Sequence, residues 1–266
     1  MLSLIISLIV GTAAILACHF GWPGHPYWTA TAGVVGFLGS NAVISLILRK
    51  RMMTAFQSVQ NAILEDQAVL RRKANALQGR AGMGMMEKLE QEQNASVRRA
   101  LKMLDTLKPF EKWNFLVKKQ TDALRAQFHF QLKEYEQADK CLRGAMLMDP
   151  QMIAIQMTRY YKLGEEKKLV SCYQKGIRRF KDERGAIIYG LYSWILVQQK
   201  KIDEAIQVLV DAKQKIDHPV LKQNWESLVN GKTNRFSNAG FGEVWYSLQL
   251  EQPRIQRIQQ PQGFRR

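Results

Sequence analysis

Three features of the sequence predict an all-α fold. Residues 1–48 contain no charged side chain, and all 39 basic and 23 acidic residues follow them. Good helix formers dominate residues 49–108, with apolar side chains at helical spacing. From about Glu111 the pattern changes to pairs of short helices separated by turns. We therefore expect an N-terminal helical hairpin, then a helical stalk, then a repeat domain.

The charge-free stretch, residues 1–48, predicts a two-helix transmembrane hairpin. Its apolar runs, Met1 to Cys18 and Thr29 to Leu48, flank a turn whose prolines and glycines cannot continue a helix. A membrane span needs about 20 apolar residues. The second run is long enough, and the first lies near the lower limit. Amphipathic rings, which favour the membrane interface, lie in or beside the turn: Trp22, Tyr27 and Trp28.

Three basic residues, Arg49, Lys50 and Arg51, follow the second run directly. Because positive charges beside a span are retained on the cytoplasmic side, we expect a multi-pass protein of the inner (cytoplasmic) membrane. Both termini and the repeat domain are then cytoplasmic. A cleaved signal peptide needs a positive n-region, which Met1-Leu-Ser lacks. Residues 15–18 also look like a lipoprotein cleavage box, but the same missing n-region and the second run argue against it.

Small residues recur every four positions in the second run, at Ala32, Gly36 and Ser40. Such a ladder lets helices approach closely in lipid. We favour packing against the first run of the same hairpin. Homodimerisation through this ladder, or through the stalk, stays open as the alternative.

The stalk, residues 49–108, carries half of a heptad seam, since an apolar residue recurs every seven positions. Its members are Phe56, Ile63, Leu70 and Leu77. So narrow a stripe predicts either packing against the following helix or a weak dimer. Three glycines at residues 79–84 predict a hinge, and Pro109 ends the helical run that follows it.

Residues 109–231 contain an internal repeat. The stretch Glu134 to Pro150 resembles the second helix and terminal Asp-Pro of a tetratricopeptide repeat, a family of 34-residue helical hairpins. Ala138 is small where two helices cross, and Leu142 fills the space between them. Two further copies follow, with Leu169 and Ala205 equivalent to Ala138, 31 and then 36 residues apart. Such stacks need a cap, and residues 220–230 are expected to form that capping helix.

The C-terminal residues fall into two parts. Residues 232–252 combine glycines with large apolar side chains and are too apolar to stay solvated. We expect this aromatic segment to fold back on the repeats, either covering the last helix or occupying the binding groove as a pseudo-ligand. Residues 253–266 contain four Arg and no acidic residue and are expected to form a disordered basic tail.

The family resemblance implies a binding groove, the concave surface lined by the first helix of each repeat. By alignment the groove contains Gln127, Phe130, Gln131, Thr158, Tyr161, Lys162, Trp194, Val197 and Gln198. The Lys and Asn set that binds carboxylate tails in some family members does not occupy these positions. We therefore expect a protein or peptide partner with an apolar or mixed surface. Packing of the aromatic residues between repeats is the other interpretation.

The sequence contains no catalytic or metal-binding motif, so no enzyme activity and no cofactor are predicted. The three cysteines do not form a paired framework, and Cys141 and Cys172 are expected to be inert buried thiols. The net charge of +16 leaves an alternative function, charge-driven binding of anionic lipid headgroups or nucleic acid. The densest basic surface is predicted at Lys175, Arg178, Arg179, Lys181 and Arg184.

Overall fold

The computed structural model describes residues 2–21, 26–76, 83–113 and 115–252, and within these ranges it contains helices and no strand. The all-α prediction is confirmed. Part of the predicted hinge, with Gly79 and Gly82, and the whole of the predicted tail lie outside the described residues. The chain forms two compact units, one of Met1–Phe128 with Arg143–Met146 and one of His129–Leu142 with Leu147–Arg266.

The first unit begins with an antiparallel hairpin of α1 (Leu2–Gly21) and α2 (Pro26–Ala76). Residues 3–21 and 27–47 are each long and apolar enough to cross a membrane or to act as a signal sequence, and few of their residues are buried. Helix α2 continues without a break through Arg49, Lys50 and Arg51. The described side chains of that cluster, Lys50 and Arg51, are exposed.

Glycines bring α1 and α2 into close contact. A Cβ atom added at Gly36 would lie 3.1 Å from the Cβ of Ala14, and one at Gly11 would lie 3.1 Å from the Cβ of Phe37. By contrast, a Cβ added at Gly39, one turn further along α2, would meet nothing within 4 Å. Gly36 of the predicted small ladder, together with Gly33 beside the ladder, therefore faces α1 within the same hairpin.

Substitution of Gly36 by Leu is expected to push α1 and α2 about 2 Å apart, because the new side chain has no room beside Ala14. Spin labels at the exposed positions Leu4 and Val43, in a cysteine-free background, measure the separation by double electron–electron resonance. The matched control is Gly39→Leu, which should leave the distance unchanged. Equal distances in both variants would show that Gly36 does not set the helix separation.

Helix α3 (Met83–Leu104) packs along the distal half of α2. Polar contacts join the two helices, with Ser96 Oγ donating to Asp66 Oδ2 at 2.7 Å and Lys73 paired with Glu92 at 2.7 Å. An apolar core lies beside them, made of Val59, Ala100, Leu104, Leu107 and Phe128. Phe56 and Ile63 pack against this core, so these two members of the heptad stripe lie against the following helix. Helix α3 ends at Leu104, before Pro109, which instead lies in the first turn of a one-turn helix, α4 (Lys108–Glu111).

Three helix pairs and one further helix follow in chain order. They are α5 (Phe115–Gln131) with α6 (Tyr135–Gly144), α7 (Pro150–Lys162) with α8 (Glu166–Arg179), α9 (Ala186–Gln198) with α10 (Ile202–Lys213), and α11 (Pro219–Val229). Helix α7 starts as a capping rule predicts, with the Asp149 carboxylate accepting from Gln151 N at 3.0 Å and Pro150 at the first helical position. The last helix, α12 (Glu243–Tyr246), has a single turn.

The same turn ends helices α5, α7, α9 and α11. Lys133, Gly164, Lys200 and Gly231 each have a positive φ. In each case the N–H of the next residue donates to a carbonyl five residues back, for example Glu134 N to His129 O at 2.9 Å and Lys232 N to Ser227 O at 2.8 Å. This is the Schellman pattern. Because α11 ends like α5, α7 and α9, it corresponds to the first helix of a fourth pair, and the described residues that follow it, 230–252, contain no second helix of full length.

The second unit has a continuous apolar core. Its largest fully buried side chains include Ile155, Met157, Ile188, Leu191, Ile195, Leu209 and Leu221. Gly176 lets α8 approach closely, since a Cβ there would lie 3.0 Å from Ile153 and 3.1 Å from Ile188. Helical pairs of this kind leave one face apolar until a neighbour covers it. The face of α11 that a partner helix would cover therefore needs another partner.

Candidate functional site

The C-terminal segment crosses the first helices of the second unit. We divide it into an anchor segment, residues 236–242, and a strap, residues 243–251. The anchor segment lies against α9 and α11. Contacts of the strap extend from α9 to α7, to the end of α5 and to the start of α6. The groove predicted from the sequence is thus in contact with the chain's own C-terminal residues.

A buried amide holds the anchor segment. Asn238 is fully buried and donates to the carbonyl oxygen of Gly190 at 2.7 Å, while its own oxygen accepts from Asn224 Nδ2 at 2.8 Å. The Phe241 ring stacks on His218 with a centroid distance of 4.8 Å and occupies space that any side chain at Gly190 would fill. Burial lowers the pKa of His218. These contacts cover part of the α11 face that lacks a second helix.

Two apolar side chains attach the strap to the repeats. Trp245 and Leu248 are both fully buried. The Trp245 ring meets Trp194 of α9 edge-on at a centroid distance of 5.7 Å, and Trp194 meets Tyr161 of α7 in the same way at 5.9 Å. Edge-to-face pairs of this kind add about 0.5–1.5 kcal/mol each to the effect of burial. The three rings therefore form a row from the strap to α7.

Glu251 joins two of these rings. Its carboxylate accepts from Trp194 Nε1 at 2.7 Å and from Trp245 Nε1 at 2.9 Å. An indole N–H can only donate, and a buried one needs an acceptor. A carboxylate with two oxygens provides an acceptor for both indoles. Hydrogen bonds to a charged acceptor are about twice as strong as neutral ones, so Glu251 holds the end of the strap in the groove.

Gln249 contacts the far end of the groove. Its Nε2 donates to Phe130 O at 3.0 Å, and its Oε1 accepts from the Tyr135 hydroxyl at 2.8 Å. The backbone oxygen of Gln249 accepts from Lys162 Nζ at 3.4 Å. Gln249 has a φ of 56°, which turns the chain back so that Glu251 reaches Trp194. This left-handed conformation is disfavoured for residues other than glycine.

An ion pair between the buried Arg159 and the half-buried Asp139 lies beside this contact. Arg159 is 8% exposed, and its Nε and Nη2 atoms each donate to an oxygen of Asp139 at 2.8 Å. The guanidinium also lies over the Tyr135 ring at 4.6 Å. The hydrogen bond that Arg159 donates to Asp139 raises the pKa of Arg159, whereas burial, followed by the charge of Arg159, lowers the pKa of Lys162. No sequence pattern predicts this pair, because Arg159 and Asp139 are 20 positions apart.

The predicted groove residues differ in their surroundings. Phe130, Thr158 and Trp194 are buried, whereas Lys162 and Gln198 are exposed. The remaining residues of the set are half-buried: Gln127, Gln131, Tyr161 and Val197. Thr158 differs from the others because its hydroxyl is buried with no hydrogen-bond partner. The strap bonds directly to Phe130, Gln131, Lys162 and Trp194.

The predicted basic surface is exposed throughout. Lys175, Arg178 and Arg179 belong to α8, and Lys181 and Arg184 follow it. Arg184 is paired with Asp182 at 2.7 Å, and Arg179 contacts the sulfur of Met148. The five side chains form a solvated surface with one acidic neighbour in contact.

The three cysteines, all within the described residues, differ in burial. None of the three cysteines forms a disulfide bond, and burial raises the pKa of Cys172 to about 11. At neutral pH this thiol is therefore protonated and a poor nucleophile. Cys141 is half-buried rather than buried as expected. In the part of the chain that the structure describes, no three His, Cys, Asp or Glu side chains are grouped to hold a metal ion.

Comparison with known proteins agrees with the helix pairs. A family model described as tetratricopeptide repeat matches residues 123–152, which run from within α5 to the start of α7. Neither curated proteins nor solved structures give a match to this chain. Repeats of this kind act in protein interaction or as scaffolds and are typically not catalytic. Residues 123–152 are therefore a tetratricopeptide repeat.

Proposed function

We propose that the protein is a membrane-anchored adaptor without enzymatic activity, which binds a protein or peptide partner at the cytoplasmic face of the inner membrane. The observation that carries this proposal is the groove across α7 and α9, which holds a peptide segment through both apolar and polar contacts. A surface that binds one extended segment of this chemistry is suited to binding another. The tetratricopeptide repeat at residues 123–152 supports the same role.

The apolar hairpin supports the proposed location. Helices α1 and α2 expose most of their apolar side chains, which is costly in water and favourable in lipid. Lys50 and Arg51 are exposed just beyond the second apolar run, where they can remain in the aqueous phase. This arrangement supports an anchor with both ends on the cytoplasmic side.

A labelling experiment tests the orientation. In a cysteine-free background, cysteines replace Gly24 in the hairpin turn or Asn230 at the end of α11, and intact cells are treated with a membrane-impermeant maleimide. We expect labelling at position 24 and none at position 230 until the cells are permeabilised. The reverse pattern would place the repeats outside the cytoplasm and refute the proposed topology.

Photocrosslinking in cells tests partner binding. A crosslinking amino acid at Tyr161, which is half-buried beside Trp194, should capture a defined protein if the groove is the binding site. The comparison position is Lys175, which is exposed on the basic surface. Capture at position 175 and not at position 161 would contradict the groove as the binding site.

The exposed basic residues around α8 favour a second candidate function, docking on anionic lipid headgroups or nucleic acid. Salt concentration separates the two functions. Binding that releases 6–10 counterions weakens by about 10³–10⁵ between roughly 50 and 200 mM salt, whereas apolar groove binding persists. A binding activity that collapses over this range assigns the function to the basic surface.

A further inference from the structure

We propose that the strap is an internal ligand of the groove and that the external partner presents the same three side chains. These are an aromatic residue, a leucine three positions later and a carboxylate three positions after the leucine, as in Trp245, Leu248 and Glu251. The inference rests on the proposed binding of a protein partner in the groove. It specifies the chemistry of that partner. It also identifies release of the strap as the step that controls the partner's access to the groove.

Each of the three side chains satisfies a different requirement of the groove. Trp245 and Leu248 fill apolar space and are fully buried. Glu251 accepts from the indole N–H of Trp194, which is itself 8% exposed. A ligand without an acceptor at this position leaves a buried donor unpaired, which is unfavourable. The groove therefore selects for a carboxylate at the end of an apolar segment.

The strap can leave the groove while the anchor segment stays in place. Asn238 fixes the anchor segment through buried hydrogen bonds on α9 and α11 that do not involve the strap. Gly242 joins the two parts with a φ of 64°, a conformation that glycine adopts without strain. Within the strap, regular structure is limited to the single turn of α12, and Gln249 has the positive φ that non-glycine residues disfavour. Release of the strap relieves this strain.

A bound strap lowers the apparent affinity of the groove for any external ligand. Only the fraction of molecules with an open groove can bind, so the apparent dissociation constant increases by the inverse of that fraction. A substitution that weakens the binding of the strap, without changing the groove, must then increase the affinity for an external ligand. Glu251 allows this experiment, because it belongs to the strap and its bonds can be weakened by removing one charge.

The test uses the full chain in detergent and a fluorescent peptide with the sequence of residues 243–251, followed by fluorescence anisotropy. We expect Glu251→Gln to bind the peptide about tenfold more tightly than the unaltered chain, because the neutral amide holds the strap less strongly. The matched control is Glu243→Gln, which removes the same charge from an exposed position at the other end of the strap. It should leave the affinity unchanged.

Two further measurements locate the binding. A peptide with Gln in place of its last Glu, or Ala in place of its Trp, should bind the Glu251→Gln chain at least about tenfold more weakly. Excess peptide should also increase hydrogen exchange at the strap amides of the unaltered chain, such as Ser247 and Leu248, without affecting α9. Mass spectrometry resolves the two segments.

The proposal is overturned if Glu251→Gln and Glu243→Gln bind the peptide equally, or if excess peptide leaves strap exchange unchanged. The second result would make the strap a permanent part of the fold.

Crosslinking at Tyr161 reports on the proposed function separately. A captured partner without the aromatic, leucine and carboxylate pattern would refute this inference and leave the adaptor function standing. Peptide binding with no partner captured at Tyr161 would refute the adaptor function alone.

Discussion

Replacement of Trp245 by alanine is expected to lower the free energy of unfolding of the second unit by about 3–5 kcal/mol. Trp245 is fully buried, meets Trp194 edge-on at 5.7 Å and donates to Glu251 at 2.9 Å. Alanine removes the ring and leaves a cavity over α9. It also removes one of the two donors that hold Glu251. The loss of transfer energy, packing and one hydrogen bond makes this one of the most damaging substitutions in the unit.

Chemical denaturation followed by far-ultraviolet circular dichroism measures this effect. The neighbouring Val244 is 39% exposed, so Val244→Ala is the matched control and should change stability by less than about 0.5 kcal/mol. An intermediate loss is expected for Trp245→Phe, which keeps a ring but cannot donate to Glu251. Equal effects of the Trp245 and Val244 substitutions would mean that the strap is not packed in the groove in solution.

A strap held by several kcal/mol is consistent with an exchangeable internal ligand. The groove then opens in only a small fraction of molecules, and weak ligands cannot compete for it. A partner with the same side chains gains the same contacts and, if it lacks a residue with the φ of Gln249, avoids that strain. The internal segment therefore increases the selectivity of the groove rather than closing it permanently.

The helix pairs could be predicted because local signals mark them. Asp149-Pro150 is a helix start that can be identified from sequence alone, and Gly164 is a helix end. The equivalent ends at Lys133 and Lys200 have the same positive φ without a glycine. These two helix ends could be located only by aligning the copies of the repeat. Gly231 is the equivalent sequence signal for the end of α11.

The contacts within the groove could not be predicted in the same way. The aromatic and apolar composition of residues 232–252 indicates burial, but not which surface covers it. Glu251 meets Trp194 only because Gln249 turns the chain back, and that turn depends on bonds to Phe130 and Tyr135 more than 110 positions earlier. Contacts at this separation leave no periodic trace in the sequence. The buried positions of Phe130 and Trp194 have the same cause.

Arg159 and Asp139 form the second site where a large effect is expected. Asp139→Ala should lower the free energy of unfolding by about 3–5 kcal/mol, because it leaves the buried guanidinium of Arg159 without its counter-ion. The paired carboxylate is also the main reason that the pKa of Arg159 is raised. Arginine cannot lose its proton at accessible pH. The uncompensated charge therefore has to be solvated by local opening between α6 and α7.

A double substitution separates the loss of the ion pair from the loss of packing. Asp139→Leu with Arg159→Met removes both charges and keeps apolar volume, so it should recover most of the stability lost in Asp139→Ala. The surface pair of Lys201 and Glu166, bonded at 2.8 Å, is the matched control. Glu166→Ala should change the unfolding midpoint little, because water and salt screen an exposed ion pair. If Asp139→Ala is as mild as Glu166→Ala, the Arg159 charge is solvated in the folded state. Lys162 and the backbone oxygen of Gln249 in the strap lie beside the Arg159–Asp139 pair. Asp139→Ala should therefore also increase hydrogen exchange in the strap.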